Sequence, residues 1–582
     1  TRASSYCSAN CKMQHKNGAT QNVLDPLVEE AEHEDQKLDC KFENVEAIFD
    51  HLGGTGRYNL LVLVIMVYVN LFPGMITLSA NFTAADVPFN CSKFGFENSS
   101  LSSTCAPSTS IDDNLQCRVT LNCTESAGLN GQLDNSISSV LKTFECQSFQ
   151  FSTTGALQET AVSRFGLVCQ RAWMSNLATT FFFIGFLFGC SLYGALADRF
   201  GRLRMMLIAL CNMSVGAIAA SQAPFLWLYW CFQLLIGIGI GGFMSCTFSF
   251  ALENTDPAHR SISGFNLHNG WTVGIFLGTF IAYFERRYSR LLLYKGLCAA
   301  AALPPLLILS ESPRWLVSAR RYKQADSVLH RIARINRRSL GGDAFSSEAI
   351  SRRFEKRVVK TSVLDLLRRP GMRRVTFIAW AMFFNVSMAY YGISLGIGDL
   401  GGSIFVNQLL AAAVEIPARL LGMLASYRIG RRVSTMVSFG LAGICLTATA
   451  FLFGDSRYTG ARIATAMTGK FWITLAFDLA WLYSAEVFPT VVRSLGVGTG
   501  STFARVGAMV STLVPGLGFV WRPLPFLILA AGPLLVVLLA VAAPETKGRR
   551  LPDSMEDGER LAQAGGCCGR RQEDSGRGDI EL

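Results

Sequence analysis

The 582-residue chain is 50% hydrophobic and only 16% charged, with positive mean hydropathy, whereas soluble domains carry charged residues at about a quarter of their positions. This composition excludes a soluble globular fold and reads as a polytopic membrane protein. A net charge of +11 raises nucleic acid as a partner, but the Lys and Arg residues fall in short clusters between apolar runs rather than on one basic domain, which excludes that reading.

Taken in order, residues 1–57 are polar, with an acidic patch at Glu29, Glu30, Glu32, Glu34 and Asp35 in place of a secretory signal peptide. The sequence begins at Thr1 rather than Met, and its start is read as incomplete. Apolar runs of about 20 residues, enough to cross the hydrocarbon core as helices, lie near 58–80, 173–197, 205–221, 225–252, 264–284 and 291–309. After a break at 310–372 they resume near 373–396, 403–427, 434–453, 460–485, 494–516 and 523–542. The fold expected is an all-α membrane protein of twelve transmembrane helices, divided into a half at 58–309, a cytoplasmic helical loop at 310–372, a half at 373–542 and a tail at 543–582.

Arg199, Arg202 and Arg204 after the second run, Arg428, Arg431 and Arg432 after the eighth, and the basic 310–372 segment all mark the cytoplasmic side. Both termini are then cytoplasmic, and residues 81–172 are exterior. That segment carries sequons at Asn81, Asn90, Asn98 and Asn122, and cysteines at Cys91, Cys105, Cys117, Cys123, Cys146 and Cys169. A glycosylated, disulfide-stapled loop follows, with about 15 pairings of six cysteines left open. Cys190 and Cys246, inside apolar runs, read as packing residues.

The halves repeat. Arg199-Phe-Gly201-Arg202 returns as Arg428-Ile-Gly430-Arg431, Glu253 and Arg260 return as Glu486 and Arg493, and Glu311 returns as Glu545. Three matches in order at a nearly constant offset are an internal duplication, and two six-helix halves place a substrate site at the midplane between them. The clustered charges Asp198, Arg199, Arg202, Glu253, Arg260, Glu311, Arg428, Arg431, Glu486, Arg493 and Glu545 share one membrane face and read as a cytoplasmic gate that rocking of the halves opens.

Five charges sit well inside the runs: Glu415, Arg419, Lys470, Asp478 and Arg505. An Arg near the bilayer centre costs at least about 2.5–3.5 kcal/mol, so it is paired or faces a cavity. Glu415 and Arg419 are i, i+4 and share a helix face, able to neutralise each other; Lys470 and Asp478 are two turns apart. One net positive charge remains, favouring an anionic or zwitterionic ligand, with Arg505 as its planar-fork recogniser. The competing reading pairs Arg505 with Asp478 or Glu415. Gly237-Ile-Gly239-Ile-Gly241-Gly242 lies inside an apolar run and reads as close helix packing rather than a dinucleotide loop. Residues 314–338 have the rhythm of an amphipathic surface helix, and Cys567-Cys568 in the tail are candidates for palmitoylation.

The loop Asp198-Arg-Phe-Gly-Arg202, with Glu311-Ser-Pro-Arg-Trp315, Glu486-Val-Phe-Pro-Thr-Val-Val-Arg493 and Pro544-Glu-Thr-Lys-Gly548, resembles the signatures of the organic cation, anion and zwitterion transporter family within the major facilitator superfamily. The resemblance runs from about residue 50 to 555 and includes the large cysteine-containing exterior loop. It implies the major facilitator fold, alternating access and a polyspecific central site. Arg505 and Arg419 match the organic anion branch, whereas Glu415 is shared with cation carriers. Tyr390, Tyr391, Phe477 and Trp271 are similar to aromatic positions that line the family's pocket, where they would hold the apolar part of a solute.

The function expected is a plasma-membrane secondary transporter of small organic ions, organic anions or zwitterions favoured. Its partners are the solute, the lipid bilayer and a counter-ion or exchanged solute. Competing readings are an organic cation transporter, a sugar-type carrier and a transport-inactive receptor. No cofactor, metal cluster, nucleophile triad or Walker loop marks an enzyme.

Overall fold

Backbone polar groups cannot be left unpaired in hydrocarbon, so spans this apolar have to be helices. The computed structural model describes residues 56–85, 87–94, 105–107, 117–125, 138–151, 157–255, 260–338, 362–453, 456–547, 549, 552 and 554–563. The first half comprises α1 (Arg57–Thr83), α2 (Trp173–Phe200), α3 (Arg202–Ser221), α4 (Leu226–Glu253), α5 (Arg260–Phe284) and α6 (Tyr288–Leu307). The second comprises α7 (Pro370–Leu395), α8 (Ile404–Ala413 continued by Glu415–Arg428), α9 (Arg431–Phe451), α10 (Thr459–Val487), α11 (Arg493–Ser511) and α12 (Leu524–Ala540). Eight described helices are long and apolar enough to cross a membrane; α12 is apolar but shorter, and α5, α10 and α11 are not among the eight either. α10 and α11 carry the interior charges Lys470, Asp478 and Arg505, and α5 carries Asn266, His268 and Asn269. Departure from apolarity thus marks three of the helices that face the other half.

Between α1 and α2 the chain forms an antiparallel sheet, β1 (Phe89–Phe94), β2 (Cys105–Pro107), β3 (Arg118–Glu125) and β4 (Ser138–Phe151), in the order β1-β4-β3-β2. Cys105 lies opposite Cys123 in the register. Cys117 is bonded to Cys169 and so ties the sheet to the start of α2; Cys146 is disulfide-bonded as well. Asn90 is exposed on β1 and the backbone of Asn122 lies on β3, while Asn98 falls outside the described residues. Asn81 corrects the sequence reading. It is 6% exposed, and its Nδ2 donates to Ser394 O and to Gln408 Oε1, both at 2.6 Å. That amide is consumed in a contact between the halves and is unavailable to a glycan.

The glycine-rich run of α4 packs backbone to backbone on α2. A Cβ at Gly237 would lie 2.0 Å from Phe182 O and one at Gly241 2.3 Å from Phe186 O; Gly185 and Gly189 of α2 face Leu234 O and Ile238 O in return. The corresponding pair in the second half, α8 and α10, has no such zipper and holds the interior charges instead.

The duplication extends to atomic detail at the basic end. Glu311 accepts from Arg202 N and Leu203 N, as Glu545 accepts from Arg431 N and Arg432 N. Gly201 and Gly430 make the two turns at φ +114° and +110°, values open to glycine and closed to most side chains. The helix trailing each half also caps the half's leading helix. Asn336, ending the helix Tyr322–Asn336, accepts from Tyr58 N at 2.9 Å. Glu559 of the helix Met555–Gln563 accepts from Gly371 N and Met372 N at 2.8 and 2.9 Å, a carboxylate on the positive end of α7.

Slight burial pushes the Glu559 carboxyl up, but the two N–H donors and nearby Arg369 outweigh it and hold it below the usual carboxylate range. A depressed carboxylate stabilises the docked helix above its unfolded pKa of about 4.3 and loses that contribution as pH falls through the lower folded value. The tail helix is therefore expected to stay docked at neutral pH and to loosen only below about pH 4. Glu559→Gln should raise amide exchange in 555–563 by a few-fold at pH 7, about 0.3–1 kcal/mol; exchange unchanged from wild type would refute the cap.

Candidate functional site

Pro417 lacks the N–H that would bond Ala413 O, which breaks α8 after its first ten residues and starts a new helix at Glu415. This places Glu415, fully buried, against three helices. Its Oε2 is 3.1 Å from Arg419 Nη2 and its Oε1 3.3 Å from Lys470 Nζ of α10. Tyr390 Oη of α7 donates to Oε1 at 2.6 Å, and Thr272 Oγ1 of α5 donates to Oε2 at 2.8 Å. Trp271 Nε1 donates to Tyr390 Oη at 3.3 Å. Arg419 reaches back to His268 O at 2.7 Å and to Thr272, and its Nε lies 3.9 Å from Asp478 Oδ2. Lys470 also donates to Ser394 and sits 3.9 Å from the Tyr390 ring centroid. Phe477 packs on Tyr390 at 5.7 Å.

The structure thus joins Glu415, Arg419, Lys470, Tyr390, Phe477 and Trp271 in one network, with Asp478 at its edge. Arg505 stands apart. It is 8% exposed on α11, its Cζ lies 4.0 Å over the Phe186 ring of α2, and Cys190 and Tyr391 flank the guanidinium closely enough to interact with it. Its Nε has no hydrogen-bond partner. Glu415 and Asp478, the acids offered as rivals, are engaged with Arg419 and Lys470 and do not pair with Arg505.

Four contributors escaped the sequence reading. Phe186 and Cys190, one turn apart on α2, lie in a uniformly apolar run that gives no signal. Thr272 is marked only by its neighbour Trp271. Lys295 is 1% exposed, two turns inside α6, donates to Ser79 Oγ at 2.9 Å and lies 5.7 Å from the Phe82 ring centroid. Near a run's end it reads as a snorkelling flank residue, and helical spacing alone does not distinguish the two.

Contacts between the halves gather toward the sheet end and the middle. Besides Asn81, Phe405 stacks on Phe82 and meets Tyr283, both at 5.5 Å, and Thr180 and Thr512 share a 2.8 Å bond. Phe183 meets Tyr391 at 4.8 Å, one level below. Toward the basic end Phe248 meets Trp481 at 5.5 Å.

In this conformer the charges at the basic end pair within their own half. Arg202 pairs with Asp198 and, at 3.0 Å, with Glu253; Arg431 pairs with Glu486 at 2.9 Å. Arg428 O accepts from Lys547 Nζ at 2.7 Å, Arg493 Nε donates to Phe488 O at 3.2 Å, and Arg199 lies over Phe200. The side chain of Arg260 lies outside the described residues. The reason is topological: each basic turn opens the third helix of its own half, beside the end of the fourth helix and the strap after the sixth, so its side chains meet partners there.

Residues 127–556 match the family model described as sugar (and other) transporter. Solute carrier family 22 member 7 of Sus scrofa is 33% identical over 403 residues, 69% of this chain and 73% of the relative. An organic cation transporter protein of Drosophila melanogaster is 30% identical over 532 residues, 89% of this chain and 94% of the relative. Among solved structures, the inward-open xylose transporter XylE of E. coli superposes with TM-score 0.54 at 17% identity, over 69% of this chain and 93% of that one, a likeness of fold alone.

Proposed function

Because this chain belongs to solute carrier family 22 among the major facilitator transporters, a family of multi-pass membrane carriers of small solutes, we propose that it moves organic anions or zwitterions by alternating access. The observation that carries the anionic preference is Arg505: buried between the halves, covered on one face, unpaired at Nε and served by no acid among the described residues. A desolvated guanidinium in that state is a strong partner for a carboxylate. Glu415 does not argue for cations, because Arg419 and Lys470 already neutralise it. Trp271, Tyr390, Tyr391 and Phe477 supply the apolar walls for the rest of the solute.

The orientation that fits has the disulfide-bonded sheet outside at the plasma membrane and both termini in the cytoplasm, the sense favoured by the basic turns. With inter-half contacts gathered at the sheet end, the described conformer is then closed to the exterior. The clusters around Arg202 and Arg431 act as braces that make each half move as a body, and a counter-ion or exchanged solute resets the cycle. The test is uptake into cells of three labelled probes: salicylate, carnitine and tetraethylammonium. Uptake of salicylate or carnitine is expected to exceed that of tetraethylammonium; uptake confined to tetraethylammonium would overturn the anionic reading, and no uptake at all despite surface expression would favour a receptor.

A further inference from the structure

We propose that Phe186 is the positioning residue that aims the Arg505 guanidinium at an anionic ligand, and that it does so only while α2 lies against α11. The carboxylate site then differs in affinity between the two faces of the membrane. This rests on the anionic reading above and adds to it a conformational control of the site.

The two residues belong to different halves, α2 and α11. With Cζ 4.0 Å over the ring centroid, the guanidinium is within cation–π range of Phe186, a surface on which Arg stacks. Stacking on that ring would leave the in-plane N–H donors, including the partnerless Nε, to a ligand. A buried donor without an acceptor carries an uncompensated desolvation cost, which a bound carboxylate would remove. Arg is a long side chain with rotamer freedom to lose on binding. A ring that holds the fork before the ligand arrives lowers that loss and raises affinity.

The ring is itself held. Its backbone carbonyl lies against Gly241 and its neighbour Gly185 against Leu234 O, so α4 fixes the height and rotation of Phe186. α2 is held against the second half by Thr180–Thr512 at the end of α11 and by Phe183 on Tyr391 of α7, both on the sheet side of the stack. Opening the sheet end separates these pairs and draws Phe186 off Arg505. The fork is then aimed in the conformer open to the cytoplasm and unheld in the conformer open outward.

The experiment measures KM for labelled salicylate separately for uptake and for efflux from preloaded cells, in the full chain and in two variants. Wild type is expected to show the lower KM on the cytoplasmic face. Phe186→Leu, which keeps the volume and loses the π face, should raise that KM by about 2- to 30-fold and leave the exterior KM within twofold, while Phe186→Tyr should retain the asymmetry. Loss of packing alone would lower surface abundance and Vmax without separating the two KM values. Equal KM values on both faces of the wild type, or a Phe186→Leu shift of the same size on both, would overturn the proposal. Absence of salicylate and carnitine transport in the wild type would instead overturn the anionic reading, and this inference with it.

Discussion

Arg505→Asp is expected to lower uptake of salicylate by at least about 100-fold and to raise tetraethylammonium uptake relative to wild type. A hydrogen bond to a charged group contributes about 1.5–3 kcal/mol, the upper part of which accounts for that factor. Placing a carboxylate where the guanidinium stood adds repulsion of the anion. The network around Glu415 stays as it is, since Arg505 makes no ion pair with it, so the charge at this one position passes from positive to negative. Arg505→Lys separates charge from geometry: it keeps the sign, loses the planar fork and should retain a minor fraction of salicylate uptake. Salicylate uptake by Arg505→Asp within twofold of wild type, at equal surface abundance, would sink the assignment.

The second large effect falls on stability. Glu415 is the sole acid in direct contact with both Lys470, 1% exposed, and Arg419, and it also takes the hydroxyls of Tyr390 and Thr272. Glu415→Ala leaves two buried cations and two hydroxyls without their acceptor. Breaking a buried pair from one side costs about 3–5 kcal/mol, which should appear as a drop in melting temperature of detergent-purified protein and a loss of surface expression. Adding Lys470→Met to Glu415→Ala should recover part of the loss, because one of the stranded charges goes with it. A single variant that melts with wild type would show that water or lipid headgroups, not Glu415, neutralise these cations.

Much of this architecture was readable from residue order, and for a physical reason. Hydrocarbon enforces helices and tolerates few charges, so twelve runs and five of the interior charges stand out in the sequence. The duplicated turns at Gly201 and Gly430 stand out because their chemistry is local. The i, i+4 pairing of Glu415 with Arg419 follows from one helix alone.

What resisted reading depends on helices meeting that are far apart in sequence. Lys470 choosing Glu415 rather than Asp478, Asn81 turning inward to Ser394, and Phe186 lying under Arg505 are consequences of how two halves dock, and no single run encodes them. The pairing within the basic-end clusters has the same origin. Sequence placed their members on one face, and only the packing of third, fourth and trailing helices shows that each cluster closes on itself.

The glycine contacts between α2 and α4 have a mechanical consequence. Two helices whose backbones touch at four levels have no compressible side-chain layer between them and behave as one stiff beam. A small tilt imposed where α4 meets the other half, as at Phe248 and Trp481, reaches Phe186 undamped. In the other half the matching pair is joined by the ion pairs of Glu415 with Lys470 and Arg419 with Asp478, longer contacts than touching backbones. The duplicated chain has kept one half as lever and softened the other into a grip.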